Sequence, residues 1–411
     1  MRISRDRRAR QAAMDSGVRA WREHEDSCVA ALNSIVGQRL EIRRLRSRRR
    51  EADFLAEPLR NAGIGRPALE ALLGEVRGFK ARARGVRLLL ARAHGEPTVH
   101  PRDVLDLPPD MGPASEAKIP FSKAIKLVEE GFASIHPEMG AFVRLMADRR
   151  WIDCRNGERR AAGNYCWLFM KSRTPRVFYN PSGTIYDVNG LAHEIGHAFS
   201  LQFYGGKGLP FGAWSGCAAV AEMPSGLAEL AVRDAMFSSM PEPADRLRTA
   251  WLDMVTVVMD LLHQPALFEL ETAVHELRQK GLLTASLLKD AEARVWDDWY
   301  GDILSAKSET FWMDEISYDA NECFWSMVYT FGTLLAVGML AQKDRLGDRF
   351  YRAYVDFLSD FGRMTVEELV RKHFDADLSR PEFWRSSLGL VEARIDRFEK
   401  IIGTICPRSH D

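Results

Sequence analysis

The chain has 411 residues, 46% hydrophobic and 28% charged, and its 57 basic and 57 acidic residues cancel to a net charge of zero. That length and composition suit one large or two to three ordinary globular domains, and the charge balance excludes a bulk field drawing the chain to nucleic acid or to a membrane. Cys28, Cys154, Cys166, Cys217, Cys323 and Cys406 are scattered with no CxxC pair, which argues against a thiolate zinc site and for reduced thiols in a cytoplasmic protein.

The N-terminus is polar and basic without an apolar signal-peptide core. The arginine runs "MRISRDRRAR" and "RRLRSRRRE" suit solvated helix faces or tails. "REHEDSCVAALNSIVGQRLEIRRLRSRRREADFL" and "RPALEALLGEVRGFKARARGVRLLLARAHG" carry apolar residues at three- and four-residue spacing, the second with Pro67 near its start and Gly95 past its end, and both predict helices. A proline-rich joint at residues 96–116 then divides an N-terminal helical subdomain, 1–100, from a larger domain, 101–411. Helical periodicity resumes in "FSKAIKLVEEGFASIHPEMGAFVRLMADRRWID". Aromatic and β-branched residues over 164–180, interrupted by "SRTP", predict two strands. Beyond residue 218 the pattern is helical almost to the end, and "FWSMVYTFGTLLAVGMLA", 324–341, reads as a buried helix rather than a membrane span because it carries Ser326, Thr330, Gly332 and Gly338. The fold expected is mainly α, with a small sheet. Nothing in the sequence specifies an oligomer.

Between the strands and the later helices lies "LAHEIGHAFS", 191–200. Asp187 or Asn189 can cap a helix starting near Gly190. On that helix Leu191, Ile195, Ala198, Phe199 and Gln202 share one side, and His193 and His197 share another. Residues four apart on a helix have Cβ atoms roughly 5–6 Å from each other, so two imidazoles there can bind one ion. Glu194 falls beside them, and two helical ligands with an adjacent carboxylate make the metallopeptidase arrangement. The bare motif suits structural histidines equally well. A catalytic zinc takes a third protein ligand. "AEMPSGLAELAVRDAMF" puts Glu222, Ser225 and Glu229 on one side of an otherwise apolar segment, so Glu222 is the candidate third ligand and Glu229 a partner for a ligand histidine. Pro224 then belongs in a first helical turn or at a kink.

Taken together these stretches resemble the zinc peptidases that include thimet oligopeptidase and oligoendopeptidase F, and look closer to the latter. "NPSGTIYDVNGLAHEIGHAF" is similar to the family's approach to its motif helix, "WIDCRNGERRAAGNYC" to its upstream run, and "AEMPSGLAE" to its third-ligand segment. "HQPALFELETAVHEL", "YTFGTLLAVG" and "LSRPEFWRSSLGLVEARIDRFEKII" resemble three later segments, so the resemblance spans roughly residues 20–402. It implies a zincin-like fold, one zinc ion held by His193, His197 and Glu222, and Glu194 as general base. It also sets Tyr329 where the family has a tyrosine that points its phenol at the scissile carbonyl, with Tyr318 a second candidate for that task. The chain departs from the family pattern at Ser200, Tyr318 and Trp325, and looks shortened at its N-terminal side.

The activity expected is hydrolysis of short, unfolded peptides. The strand "RVFYN" is placed to pair with an extended substrate backbone, and Phe211 and Trp214 in "YGGKGLPFGAWSG" to line the cleft. Two other readings share the metal site: a zinc-retaining peptide-binding protein with little hydrolysis, motivated by the three departures, and a tailoring hydrolase acting on one unusual amide. Glu194 favours an enzyme, since a mere binding module has no use for a carboxylate beside the ion.

Overall fold

Helical periodicity dominates the chain, and local stop signals decide where each helix ends. The computed structural model describes residues 7–46, 53–100, 108–109, 118–155, 163–204, 218–306, 309–316 and 323–405. In chain order the N-terminal helices are α1 (Arg7–Glu23), α2 (Glu25–Arg46), α3 (Ala56–Ala62), α4 (Arg66–Ala93), α5 (Phe121–Ile135) and α6 (Pro137–Asp148). Three strands follow, β1 (Ile152–Asp153), β2 (Tyr165–Phe169) and β3 (Thr174–Phe178), and then the motif helix α7 (Ile185–Tyr204). Next come α8 (Ala218–Ala221), α9 (Met223–Ser239) and α10 (Pro243–Val258). A π-helical turn, Met259–His263, leads into α11 (Gln264–Lys280), followed by α12 (Ala285–Tyr300) and α13 (Phe311–Asp314). The chain closes with α14 (Ser326–Leu346), α15 (Arg349–Ser359), α16 (Val366–Phe374) and α17 (Pro381–Ile405). The mainly helical class with a small sheet beside the motif helix is as the sequence predicts.

The long helix over 121–148 breaks in two because Pro137 bars a helical conformation at His136, which sits extended at φ −159° and ψ 142°. Gly95, just past α4, takes φ +75°, the left-handed geometry that glycine adopts without strain. Among the described residues no helix is long and apolar enough to cross a membrane. Within α14, Phe331, Leu334 and Leu335 are fully buried, as a core helix requires.

The chain forms two compact units, each assembled from three stretches. One takes Met1–Arg60, Val76–Pro109 and Met254–Thr330, and the other takes Asn61–Glu75, Asp110–Asp253 and Phe331–Asp411. In the first, α2 packs on α11 and α12, and Arg39 and Glu271 form a buried ion pair at 3.6 Å. The second holds the sheet, the motif helix and the whole cluster described below.

The sheet order is β1-β3-β2, with β1 parallel and β2 antiparallel to β3. The two-residue β1 was not foreseen; it is held by Val177 N–H donating to Trp151 O and Tyr179 N–H to Asp153 O, both at 2.9 Å. Its presence corrects the expectation for "RVFYN": Val177 and Phe178 are paired on both sides, so among the described residues the longer edge open to a newcomer is that of β2. Cys166 and Leu168 turn from β2 towards α7, where Leu168 and Leu201 bury together.

Helix α7 starts at Ile185, five residues earlier than the sequence reading. Thr184 is the reason: its Oγ accepts the Asp187 N–H at 3.4 Å, while Asp187 Oδ2 accepts the Thr184 N–H at 2.6 Å. This reciprocal pair fixes the first turn, and Ser182 reinforces it by donating its N–H and hydroxyl to Asp187 at 3.0 and 2.8 Å. Leu191, Ala192, Ile195 and Ala198 are fully buried, each large apolar side chain among them contributing roughly 1.5–3 kcal/mol.

Gly196 sets the approach of α9. A Cβ there would stand 2.7 Å from both Pro224 O and Ser225 Cα, backbone atoms that cannot swing aside. Gly196→Ala is therefore expected to cost about 1–3 kcal/mol and to push away the segment bearing Glu222. Thermal melting together with metal content checks this; an unchanged melt would contradict the close approach.

Candidate metal centre

Two helices and a junction bring the donors together. His193 and His197 come one turn apart from α7. Glu222 sits between α8 and α9 at φ −82° and ψ −14°, and Pro224 occupies the first turn of α9, where its missing N–H costs nothing. The backbone at Glu222 is pinned from below, because its carbonyl accepts the Ser225 hydroxyl at 2.7 Å and the Gly226 N–H at 3.0 Å.

His193 Nε2 lies 3.1 Å from His197 Nε2 and 3.5 Å from Glu222 Oε2, and His197 Nε2 lies 3.6 Å from the same oxygen. Donors on a tetrahedral ion with bonds of about 2.0–2.1 Å stand about 3.3 Å apart, so this triangle admits a point at bonding distance from all three. Among the described residues these three are the group of histidine, cysteine and acidic side chains that could hold a metal ion. Two imidazole nitrogens, both able to carry a lone pair, face each other at hydrogen-bond distance, and a cation between them satisfies both. The donor set fits a divalent ion.

Glu229 orients His193. Its Oε1 accepts from His193 Nδ1 at 2.7 Å, which leaves Nε2 as the lone-pair nitrogen turned to the site. Glu229 is held in turn by Arg233, whose Nη1 donates to Glu229 Oε2 at 3.0 Å and to Asn189 Oδ1 at 3.2 Å. The other side of Arg233 faces Asp253 at 2.9 Å, an ion pair in which Nε–H is not aimed along the contact. Asp253 also receives Arg394 at 3.1 Å and Arg397 at 3.0 Å, and Asp234 closes the chain on Arg394 at 2.5 Å. Three arginines thus balance Glu229, Asp253 and Asp234. Arg233 and Asp253 escaped the sequence reading; the i,i+4 spacing of Glu229 and Arg233 was a legible hint, but Asp253 meets them only through tertiary structure.

Burial and neighbouring charge set the protonation of the site. Burial works to lower the His193 pKa, yet the hydrogen bond and charge of Glu229 outweigh it and raise the imidazole to about 9. His197 goes the other way, to about 3, through burial and then the charge of His193, and its Nδ1 meets the Ala221 backbone only loosely. Glu194, 7% exposed, is raised to about 7 chiefly by burial; His193 opposes the shift, and Glu222 and Glu229 add to it. An ion must displace the proton that His193 carries below about 9. Loading metal at pH 7.5 is expected to release about one proton per chain, read by calorimetry in buffers of different ionisation enthalpy. Release near zero would mean that His193 is not a ligand.

The remaining predicted residues divide. Ser200 is buried and donates to the His197 carbonyl at 3.0 Å, so it serves the motif helix from behind. Tyr329 belongs to the other unit, where it is 39% exposed and forms an edge-to-face pair with Trp325 at 6.5 Å. Tyr318, Phe211 and Trp214 lie outside the described residues. Cys28, Cys154, Cys166 and Cys323 are free thiols, as expected.

No protein-family profile and no curated protein sequence matches the chain. Solved structures do. A protein of Chlamydophila abortus described as a peptidase superposes with a TM-score of 0.80 at 19% identity, covering 98% of this chain and 66% of its own. Oligoendopeptidase-F of Enterococcus faecium gives 0.70 at 15%, covering 98% and 65%. Metallocarboxypeptidase 1 of Trypanosoma cruzi gives 0.57 at 15%, covering 91% and 79%. The chain spans just under two thirds of the length of the first two. The fold built here around His193, His197 and Glu222 is the fold of the oligoendopeptidase F peptidases.

Proposed function

We propose that the chain is a zinc-dependent endopeptidase of the thimet oligopeptidase and oligoendopeptidase F family, acting on short, unfolded peptides. The observation that carries this reading is the 3.1, 3.5 and 3.6 Å triangle of His193, His197 and Glu222 donors with Glu194 next along the same helix. A binding module needs the triangle; it does not need the carboxylate. The short-peptide substrate rests on the family resemblance and on the open edge of β2, which can take up an extended backbone.

His193, His197 and Glu222 would hold the ion. When bound, it supplies Lewis-acid chemistry, polarising a carbonyl and acidifying water. Glu194 accepts the proton of the attacking water and returns it to the departing amine nitrogen. Its pKa near 7 places it between the two proton-transfer states it must visit. Glu229 keeps the His193 ring turned to the ion, and Arg233 keeps Glu229 ionised.

Zinc per chain by mass spectrometry, with hydrolysis of a mixed quenched-peptide library before and after chelation, tests the proposal. One zinc per chain and chelator-sensitive cleavage within the peptides are expected. Zinc without turnover would favour a peptide-binding protein, and release of C-terminal residues alone would replace endopeptidase by carboxypeptidase action.

A further inference from the structure

Single exposed apolar side chains are ordinary on a protein surface, whereas a contiguous set marks a binding face. Eleven large apolar residues are strongly exposed among the described residues, and four of them fall within six positions of the β2–β3 hairpin: Tyr165 (52%), Trp167 (54%), Phe169 (55%) and Met170 (45%). The first three alternate with the inward Cys166 and Leu168 and so stand on the sheet face turned away from α7. Their cross-strand partners on β3 are Phe178, Arg176 and Thr174. Tyr165 stacks on Phe178 at 4.8 Å, and Arg176 lies over Phe169 at 5.7 Å and over Trp151 at 4.8 Å.

The charge of this face is one-sided. Lys171 and Arg173 are exposed in the turn of the hairpin. With Arg176 they make three cations, and none of them has an ion pair to a carboxylate among the described residues. The one acid on the strands, Asp153, is engaged by Arg155 at 2.8 Å. The chain as a whole carries no net charge. The edge of β2 beside this face carries backbone groups that, among the described residues, no strand takes up.

We propose that the β2–β3 hairpin selects extended peptides with acidic side chains at alternate positions, an inference that rests on the peptidase reading above and gives it a substrate class. A strand added to β2 turns every second side chain to the aromatic face, where carboxylates meet Lys171, Arg173 and Arg176, and turns the others to the side of α7, which bears His193 and Glu194. An anionic bilayer would also meet rings and cations here, but it would leave the hydrogen-bonding edge of β2 unused; the edge favours a peptide.

The test compares two quenched peptides of one sequence that differ in Glu or Lys at alternate positions away from the cleaved bond. The zinc-loaded full chain is expected to hydrolyse the acidic one with about five- to tenfold higher kcat/KM, and the ratio is expected to shrink with added salt. The double variant Lys171→Glu/Arg173→Glu is expected to invert it. Equal rates, or a ratio unchanged in the double variant, would overturn the inference while leaving the peptidase reading standing. If neither peptide is cut, the peptidase reading fails, and fluorescence anisotropy of the labelled pair on Glu194→Gln protein still decides the inference: tighter binding of the acidic peptide supports it, equal binding overturns it. Phosphatidylserine vesicles that bind the wild type and not the double variant, with the peptide ratio unmoved, would assign the face to a membrane instead.

Discussion

Glu194→Gln is expected to keep its metal and to lose about 10²–10⁴ in turnover, the usual worth of a positioned general base. Glutamine matches glutamate in shape, so the 7% exposed site keeps its packing. What disappears is the ability to take a proton. Because Glu194 is raised to about 7 chiefly by burial, the wild-type rate should rise with pH through that range as the carboxylate ionises, and the variant should lack this limb. Metal content separates the outcomes: a variant that lost its ion would show a structural role, and one with wild-type turnover would remove Glu194 from the mechanism.

Asp253→Ala is expected to lower stability by about 3–5 kcal/mol, the cost of leaving buried charges without their partner. Arg233, Arg394 and Arg397 all converge on this carboxylate, whose side chain is 2% exposed. Burial acts to raise the Asp253 pKa, but Arg394, then Arg233 and Arg397, prevail and hold it below its ordinary 3.8. The sign follows: the stability it contributes is present above that value and is lost as pH falls below it. Acid should unlock this cluster and mild alkali should not. Urea unfolding of wild type and variant at neutral pH measures the loss, and a difference under 1 kcal/mol would show that the arginines find water or other acids. Metal affinity should fall as well, since Arg233 then no longer steadies Glu229 behind His193.

The cluster of candidate donors was legible because it depends on local periodicity. His193 and His197 share a face through the helical repeat alone, and Glu222 and Glu229 stand out as acids in a small-residue, apolar segment. The true start of α7 was also written locally, in the Thr184-Ile185-Tyr186-Asp187 box, and was passed over for Asp187 or Asn189 as the cap. The break at Pro137 likewise follows from a single residue. The parts that stayed illegible are non-local. A two-residue β1 has no periodicity of its own and exists only through bonds to β3, so its effect on which strand keeps an open edge could not be read from "RVFYN". Asp253 and Arg394 are separated by 141 positions, and no spacing rule joins them. Tyr329 was placed by resemblance, and its half-exposed ring pairs edge-to-face with Trp325.

The close seating of α9 on Gly196 would give the proposed ligand triangle a thermodynamic role besides catalysis. His197 and Glu222 lie on either side of residues 198–221, so coordination by both would bridge that stretch in the folded chain and not in the unfolded one. An ion that the native arrangement binds and the unfolded chain does not shifts the folding equilibrium in proportion to the logarithm of its concentration. Supply of metal in the cell would then govern how much of the protein persists as well as how fast it works, so that starvation for the ion and loss of the folded chain become one event.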